Sequence, residues 1–474
     1  MHTSARANVL LEGPILNSLI MLAVPIVLAN VLQAGYQLTD AFWVGRLGSA
    51  AVAAVSVSFP IMFLSIALGT GLAIAGSTLI AQYFGARKSE MVDHVAAQTL
   101  LMIIAVSIVL GAIGYALTPT ILNLMQVAPD VQQGALGFMR VSFAGLVFNF
   151  FFFMFQSIMR GIGDAKLPVY IVFGTVILNF ILDPLFIFGW GPIPALGVMG
   201  AAIATFGTQS LAAGIGLAVL LRGKYGIHLT LRHFTPDYAF MKRAFLLGFP
   251  ASIEQSARAL GLTVMTFLVA SFGTLAMAAY GVGGNVLQMV IIPAMGLSMA
   301  ISTLVGQNIG AGNIPRAAAI GRLGAWLGFS ILTGIGILVF IFAPELVTFF
   351  IPHDPEVTAL GSAFLRTIAL SWGFLGLQFS LAGVLRASGN MVATMVLTLV
   401  SQWVLQLPIA YVLSKHTALG IQGVWWSFVA SNVIISLLTL AWYSRGDWKK
   451  TRLTAEEQFA EHVSEEIIAE EGVR

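Results

Sequence analysis

The sequence predicts an all-α integral membrane protein, with twelve transmembrane helices in two pseudo-symmetric six-helix bundles. Of its 474 residues, 58% are hydrophobic and only 9% are charged, whereas a soluble domain has about 25% charged residues. About twelve apolar runs reach the roughly 20 residues that a helix needs to cross a bilayer. The second half of the chain also repeats motifs of the first half. These three observations indicate a duplicated membrane bundle.

The apolar runs are separated by segments that carry glycine, proline or charge, as turns require. The first run is too long for a signal peptide and lacks a small-residue cleavage site, so we expect a tail that leads into the first span. The chain has no cysteine, which excludes disulfides and thiolate metal sites. The expected spans cover approximately residues 14–40, 50–80, 95–117, 137–159, 168–189, 197–221, 244–271, 278–305, 318–342, 360–385, 393–413 and 420–443.

Lysine and arginine lie mostly on one side of the expected bundle, and the opposite loops hold only Arg46 and Lys415. Because cytoplasmic loops are enriched in basic residues, an even number of spans places both termini in the cytoplasm, on a multi-pass protein of the cell membrane. The net charge of +3 needs no nucleic acid to explain it. The cytoplasmic set is Arg6, Arg87, Lys88, Arg160, Lys166, Arg222, Lys224, Arg232, Lys242, Arg243, Arg316, Arg322, Arg386, Arg445, Lys449, Lys450, Arg452 and Arg474.

Three motifs recur at a shift of about 225 residues. GRLGSAAVAAVSVSFPI (45–61) resembles ASFGTLAMAAYGVGGNV (270–286), STLIAQYFGARKSE (77–90) resembles STLVGQNIGAGNIP (302–315), and FQSIMRGIGDAK (155–166) resembles FSLAGVLRASGN (379–390). Arg140 and Arg366 also match. Six spans per half give both halves the same topology, and transporters commonly place the substrate cavity between such repeats. We therefore predict a tail (1–13), a first lobe (14–222), a cytoplasmic linker (223–243), a second lobe (244–444) and a cytoplasmic tail (445–474).

The order TDAFWVGRLGSAAVAAVSVSFP, then AQYFGARK, then RGIGDAKLPV, with degenerate copies in the second half, resembles the multidrug and toxic compound extrusion (MATE) family. The resemblance runs from about residue 14 to 443. It implies a V-shaped pair of six-helix bundles. It also implies export of organic, often cationic and aromatic, compounds in exchange for H⁺ or Na⁺.

Among twenty Asp and Glu residues, only Asp40, Asp183 and Glu254 lie well inside expected spans. An acid in a membrane costs about 2.5–3.5 kcal/mol on insertion scales and usually marks an ion path; the alternative is a neutral carboxyl that packs helices. Asp40 matches Met265 in the second half, and Asp183 matches a position near Gln406. Since only the first half keeps the acids, the pattern favours a cation site confined to that half.

The neighbours of the two aspartates suit such a site. Tyr36 lies one turn before Asp40 and Asn179 one turn before Asp183, so each pair shares a helix face. Two acids close together in a low dielectric repel each other, which favours protonation of one of them. Carboxylates and an amide serve equally as Na⁺ ligands, so Asp40, Asp183 and Asn179 are candidate ligands and the sequence leaves H⁺ and Na⁺ open.

Prolines add free backbone carbonyls near these acids. Pro184 leaves the carbonyl of Phe180 without its helical partner, and Pro25 does the same for Met21. By the resemblance, the first-lobe set of the DinF-like branch of the family matches Pro25, Tyr36, Asp40, Asn179 and Asp183, and Thr205 is a further member.

Glu254 has two interpretations. The NorM-like branch of the family uses acids in spans 7 and 10, and Glu254 lies in span 7, but span 10 has no acid. Arg258 lies one turn after Glu254, so an ion pair along the helix is the alternative that we favour.

Polar residues within spans are candidates for the substrate cavity, although such residues more often join helices. Methionine and aromatic side chains could add contacts to flat cations. The candidates, with Glu254, are Gln33, Asn149, Gln156, Gln209, Gln255, Asn285, Gln288 and Gln378.

Three other functions agree less well with the sequence. The GIGD motif (161–164) fits an intramembrane aspartyl protease, but Asp164 falls in a cytoplasmic turn whose copy reads RASGN. A lipid-linked oligosaccharide flippase would need several basic residues in its cavity, and Arg258 is the only one deep in a span. A channel gives no reason for acids in one half alone. The histidines show no metal-ligand spacing, so we expect no metal site of that kind. We also expect a monomer that is not an enzyme and has no cofactor.

Overall fold

The computed structural model describes residues 10–223, 225–352 and 354–454, so most of both predicted terminal tails lies outside the described residues. Within these ranges the regular structure is helical, apart from one bridge between Trp190 and Ile193. The helices are α1 (Ile15–Gly45), α2 (Ser49–Gly85), α3 (Ser89–Leu124), α4 (Pro129–Gly161), α5 (Lys166–Phe188), α6 (Val198–Arg222), α7 (Tyr238–Ala270), α8 (Thr274–Gly310), α9 (Ile314–Ile341), α10 (Ala343–Phe350), α11 (Pro355–Ala369), α12 (Trp372–Ala387), α13 (Met391–Lys415) and α14 (Ile421–Arg445).

The predicted all-α membrane architecture is confirmed. Among the described residues, ten helices are long and apolar enough to cross a membrane, and the count is eleven if the bent pair α11–α12 forms one span. The helix at the predicted seventh span, α7, has 33 residues but carries two basic residues in its first turns and the pair Glu254 and Arg258 in its middle. It is not among the ten, so the number twelve stays a prediction.

The chain divides into two compact units, one of residues 24–252 and one that includes residues 10–23 and 253–454. In the first unit α4 packs against α2, α3 and α6, and α5 packs against α6. In the second unit α12 packs in the same way against α8, α9 and α14, and α13 packs against α14. The two units therefore repeat one helix-packing order. The lobe boundaries predicted from the sequence stay a prediction.

Turns of the two halves also match in backbone conformation. Glycines with positive φ occur at corresponding positions, in the pairs Gly48 and Gly273, Gly163 and Gly389, Gly197 and Gly420, and Gly223 and Gly446. At one further pair the first half has Arg87, with φ 58°, where the second half has Gly312, with φ 79°. The left-handed conformation costs a side chain about 1–2 kcal/mol. The turn shape is thus repeated even where the residue type is not.

Two expected spans in the second half are not simple helices. Span 10 (360–385) bends by 49° between α11 and α12. The hydroxyl of Ser371 at this break donates to the Ile368 carbonyl and accepts a hydrogen bond from the Asn432 side chain at 3.0 Å. Span 11 (393–413) contains a π-helical segment, Val400–Gln406, just before Pro408, whose missing N–H interrupts the α-helical ladder. The hydrophobic pattern does not report either interruption.

Close helix crossings depend on glycine. A Cβ atom built on Gly328 of α9 would lie 2.6 Å from the carbonyl oxygen of Gly376 on α12. On the same helix, a Cβ on Gly334 would meet nothing within 4 Å. Small residues at such crossings allow backbones in a membrane protein to approach closely.

Candidate functional site

Three helices of the first unit bring polar side chains to one place. The acid Asp40 comes from α1, Asn179 and Asp183 from α5, and Thr205 and Thr208 from α6. Asn179 and Asp183 share a face of α5 because they are four residues apart. We call these five residues the carboxylate cluster.

The amide of Asn179 joins the two acids. Its Nδ2 atom donates to Oδ1 of Asp40 at 2.9 Å and to Oδ2 of Asp183 at 3.1 Å. Since both carboxylate oxygens bond the same nitrogen, they lie at most about 6 Å apart, the range in which two negative charges strongly oppose each other. The cluster is therefore built around a shared donor between two acids.

Threonine hydroxyls occupy the other side of the amide. Thr205 Oγ1 lies 3.4 Å from Oδ2 of Asp40 and 3.5 Å from Oδ1 of Asn179. Thr208 Oγ1 donates to Oδ1 of Asn179 at 3.3 Å. Both hydroxyls lie within hydrogen-bond reach of the Asn179 oxygen, which is consistent with amide N–H groups that face the acids.

The cluster is deeply buried. Asn179, Asp183 and Thr208 are 0% exposed, whereas Asp40 and Thr205 are half-buried. The Oδ1 atom of Asp183 is buried and has no hydrogen-bond partner among the described residues. An isolated charge in such surroundings is costly, so this oxygen is suited to take up a proton or a cation.

The structure places two other predicted site residues differently. Tyr36 is buried one turn before Asp40, and its hydroxyl donates to the backbone carbonyl of Thr175 at 3.1 Å. It thus connects α1 to α5 beside the acids. Pro25 lies fifteen residues before Asp40, about 22 Å along the helix, and the structure does not bring it into the cluster.

Sequence reasoning missed Thr208. The signal was present, because Thr208 follows Thr205 by three residues and so faces the same side of α6. The threonine was not separable from the many hydroxyls that bond their own helix, since its hydroxyl also lies 3.1 Å from the Ala204 carbonyl oxygen.

The corresponding places in the second unit carry no carboxylate. Met265 is fully buried in an apolar cluster with Val269, Ala410 and Phe428. Gln406 is a buried amide in the π-helical segment. The acids of the cluster therefore have no counterpart in the repeat.

Glu254 forms the ion pair predicted with Arg258, and a second arginine joins it. Glu254 is 1% exposed; its Oε1 lies 2.5 Å from the Nη2 atom of Arg386 and 3.4 Å from that of Arg258. Arg386 lies in the last turn of α12, and its guanidinium extends back into the bundle to reach the buried acid. The expectation that Arg258 is the only basic residue deep in a span is therefore wrong, because the side chain of Arg386, 12% exposed, also reaches Glu254.

The cavity candidates divide by position. Glu254 and Gln378 line one small pocket with Thr394 and Thr398, whose free volume of about 10 Å³ is that of about one water molecule. Asn149 packs with Phe150 and Phe153 around a crevice with no free volume for a water molecule. The remaining candidates are buried (Gln156 and Gln209), half-buried (Gln33 and Gln255) or exposed (Asn285 and Gln288).

Two other kinds of site are not supported. Asp164 of the GIGD motif is 3% exposed, and its Oδ1 accepts backbone hydrogen bonds from Lys166 at 3.2 Å and Leu167 at 3.4 Å, at the start of α5. It is a turn residue that caps a helix. In the part of the chain that the structure describes, no group of three or more His, Asp or Glu side chains could hold a metal ion.

Known proteins resemble this chain along its length. A family model described as MatE matches residues 25–185 and 250–412. The probable multidrug resistance protein YoeA of Bacillus subtilis (strain 168) is 33% identical over 442 residues, which cover 92% of this chain and 95% of YoeA. The probable multidrug resistance protein NorM of Thermotoga maritima is 28% identical over 447 residues, 94% of this chain and 95% of that protein. A crystal structure of MATE in complex with MaL6 matches with a TM-score of 0.88 and 25% identity, over 94% of this chain and 99% of that one. The chain belongs to the MatE family, the multidrug and toxic compound extrusion transporters that its motifs predicted.

Proposed function

We propose that this protein is a secondary active multidrug efflux transporter that exchanges organic, often cationic and aromatic, compounds for H⁺ or Na⁺. The single observation that carries the proposal is the carboxylate cluster, with two acids held by one amide in one unit of a duplicated fold. The names of the relatives, probable multidrug resistance proteins, support the class of substrate.

The cluster can couple ion binding to conformation because it connects three helices. Binding of a cation neutralises Asp40 and Asp183 and changes the hydrogen bonds that join α1 to α5 and α6. A ligand drives a transition only through different affinity for the two states. An inward-moving unit charge across 100 mV contributes about 2.3 kcal/mol, and a concentration gradient adds to this.

The orientation of Asn179 favours a proton as the coupling ion. A nitrogen donor faces both carboxylates, and the amide oxygen faces the hydroxyls of Thr205 and Thr208. Na⁺ takes oxygen ligands, so in this orientation the amide offers it none and only the carboxylate and hydroxyl oxygens remain. A proton instead binds a carboxylate oxygen without moving Asn179, and Oδ1 of Asp183 is free to receive it.

We further expect that both termini are cytoplasmic, that the protein works as a monomer in the cell membrane, and that no cofactor takes part. Lipid-linked oligosaccharide transport is the less favoured alternative, because Arg258 and Arg386 already share Glu254 and the relatives are named for drug resistance.

The experiment is exchange by the purified protein in liposomes. Ethidium efflux is followed under an imposed pH gradient, an imposed Na⁺ gradient, or neither. The wild-type protein should respond to the pH gradient alone. Asp40→Asn and Asp183→Asn fix each acid in a neutral form and should reduce gradient-driven exchange at least about tenfold, since the two states then bind the cation equally.

Asp130→Asn is the matched control, because Asp130 is an exposed acid at the start of α4 and its loss should leave exchange unchanged. Full coupled exchange by the Asp40 or Asp183 variants would refute the assignment of the cluster. A response to the Na⁺ gradient alone would refute proton coupling but would agree with an antiport mechanism driven by Na⁺.

A further inference from the structure

On the predicted outer side, two arginines occupy repeat-related positions that the transport proposal does not use. Arg140 of α4 lies over the ring of Tyr115 on α3, with its Cζ atom 5.0 Å from the ring centroid. Arg366 of α11 lies over the ring of Phe340 on α9 at 5.7 Å. Arg140 is eleven residues after Pro129, which begins α4, and Arg366 is eleven residues after Pro355, which begins α11. We call Arg140 and Arg366 the outer arginines.

Each outer arginine lies twenty residues before a basic residue at the cytoplasmic end of the same span, namely Arg160 and Arg386. Twenty residues of helix rise about 30 Å, the thickness of the hydrocarbon core of a bilayer. The bend between α11 and α12 shortens this rise in the second unit. Within each unit, we therefore expect Arg140 at the level of the outer headgroups and Arg366 slightly nearer to the hydrocarbon core.

The guanidinium groups have hydrogen-bonding capacity to spare. Arginine carries five N–H donors, yet Arg140 makes no hydrogen bond or ion pair among the described residues, and its Nε is buried without a partner. Arg366 donates its Nε to the carbonyl oxygen of Phe340 at 3.1 Å and forms no ion pair within the described ranges. Each guanidinium lies within cation–π distance of its aromatic ring.

We propose that each outer arginine binds the phosphate group of an outer-leaflet phospholipid. The planar guanidinium pairs with phosphate through two parallel hydrogen bonds. Tyr115 and Phe340 are 47% and 43% exposed, as expected of side chains that also contact lipid at the interface.

The surroundings of Arg366 leave room for a headgroup. Arg366 lies at an open groove between α10 and α11, which is also lined by Thr348 and Thr358. The acid in this groove, Asp354, lies twelve residues away, about 18 Å along the helix, and its carboxylate caps α11 by accepting the Val357 N–H at 3.0 Å. It does not compete for the guanidinium.

The test counts bound lipids on the full chain. Purified, delipidated protein is titrated with short-chain phosphatidylglycerol, and native mass spectrometry resolves the number bound. The wild-type protein should show two tight sites. Arg140→Gln and Arg366→Gln should each weaken one site about tenfold, as loss of a charge-assisted pair predicts. Arg140→Lys keeps the charge without the second parallel hydrogen bond and should weaken that site less.

Arg232→Gln is the control, since Arg232 is an exposed arginine of the predicted cytoplasmic linker; both tight sites should remain. Unchanged binding in Arg140→Gln and Arg366→Gln, or an equal loss in Arg232→Gln, would overturn the proposal. Equal competition by glycerol 3-phosphate would show a site for soluble phosphate esters and would also overturn it. Circular dichroism and gel filtration confirm that each variant is folded.

Discussion

Arg386→Met tests whether the buried Glu254 depends on one arginine far more than on the other. Arg386 is 12% exposed and its Nη2 lies 2.5 Å from the Glu254 oxygen, whereas Arg258 is 31% exposed and 3.4 Å away. Removing one partner of a buried ion pair costs about 3–5 kcal/mol, because the remaining charge loses its compensation. The contact with Arg258 is longer and its guanidinium is more exposed, so we expect a smaller contribution, about 0–1 kcal/mol as for exposed ion pairs.

These free energies translate into thermal stability. For a unit of 150–250 residues, 1 kcal/mol shifts the unfolding temperature by about 2–4 °C. We therefore expect Arg386→Met to lower the midpoint by at least about 6 °C and Arg258→Met by no more than about 4 °C. The assay heats each purified variant in detergent and follows the folded fraction by fluorescence-detected gel filtration.

A double variant separates charge from packing. Replacing both buried charges by apolar side chains is often nearly neutral, so Glu254→Leu combined with Arg386→Met should recover most of the stability lost by Arg386→Met alone. An equal loss from the two single arginine variants, or a double variant whose losses simply add, would refute the account of Glu254 as a buried acid compensated by Arg386.

Two further predictions concern packing and the linker. Gly328→Ala should destabilise the protein by about 1–3 kcal/mol through overpacking against Gly376, whereas Gly334→Ala on the same helix should stabilise it by about 0.5–1 kcal/mol; equal midpoints in the heating assay would contradict this. Gln98→Leu removes three hydrogen bonds that hold the linker, to the backbone of His233, Thr235 and Asp237 at 2.9, 2.7 and 3.0 Å. At about 1 kcal/mol each, their loss should raise the rate of tryptic cleavage at Arg232 by at least about tenfold; an unchanged rate would show that other contacts hold the segment.

The membrane class and the pair of acids could be read from the sequence because both are local and costly features. An uninterrupted apolar run has few alternatives to a spanning helix, and an acid in such a run needs a reason. Asn179 and Asp183 are four residues apart, so helix periodicity alone places them on one face. The repeat also indicates that the acids belong to one half, because the second-half position equivalent to Asp40 is Met265.

Tertiary structure decided which distant residues complete each site. The hydrogen bond from Asn179 to Asp40 spans 139 positions of the chain, and no periodicity relates α1 to α5. Only the packing of α6 beside α5 distinguishes Thr208 from the many other hydroxyls of the chain. Only the packing of α12 brings the side chain of Arg386, a residue expected on the cytoplasmic side, to Glu254. The bend at Ser371 also involves a partner in another helix, the Asn432 side chain. Sequence determines what a helix carries on each face, whereas packing between helices determines what each face meets.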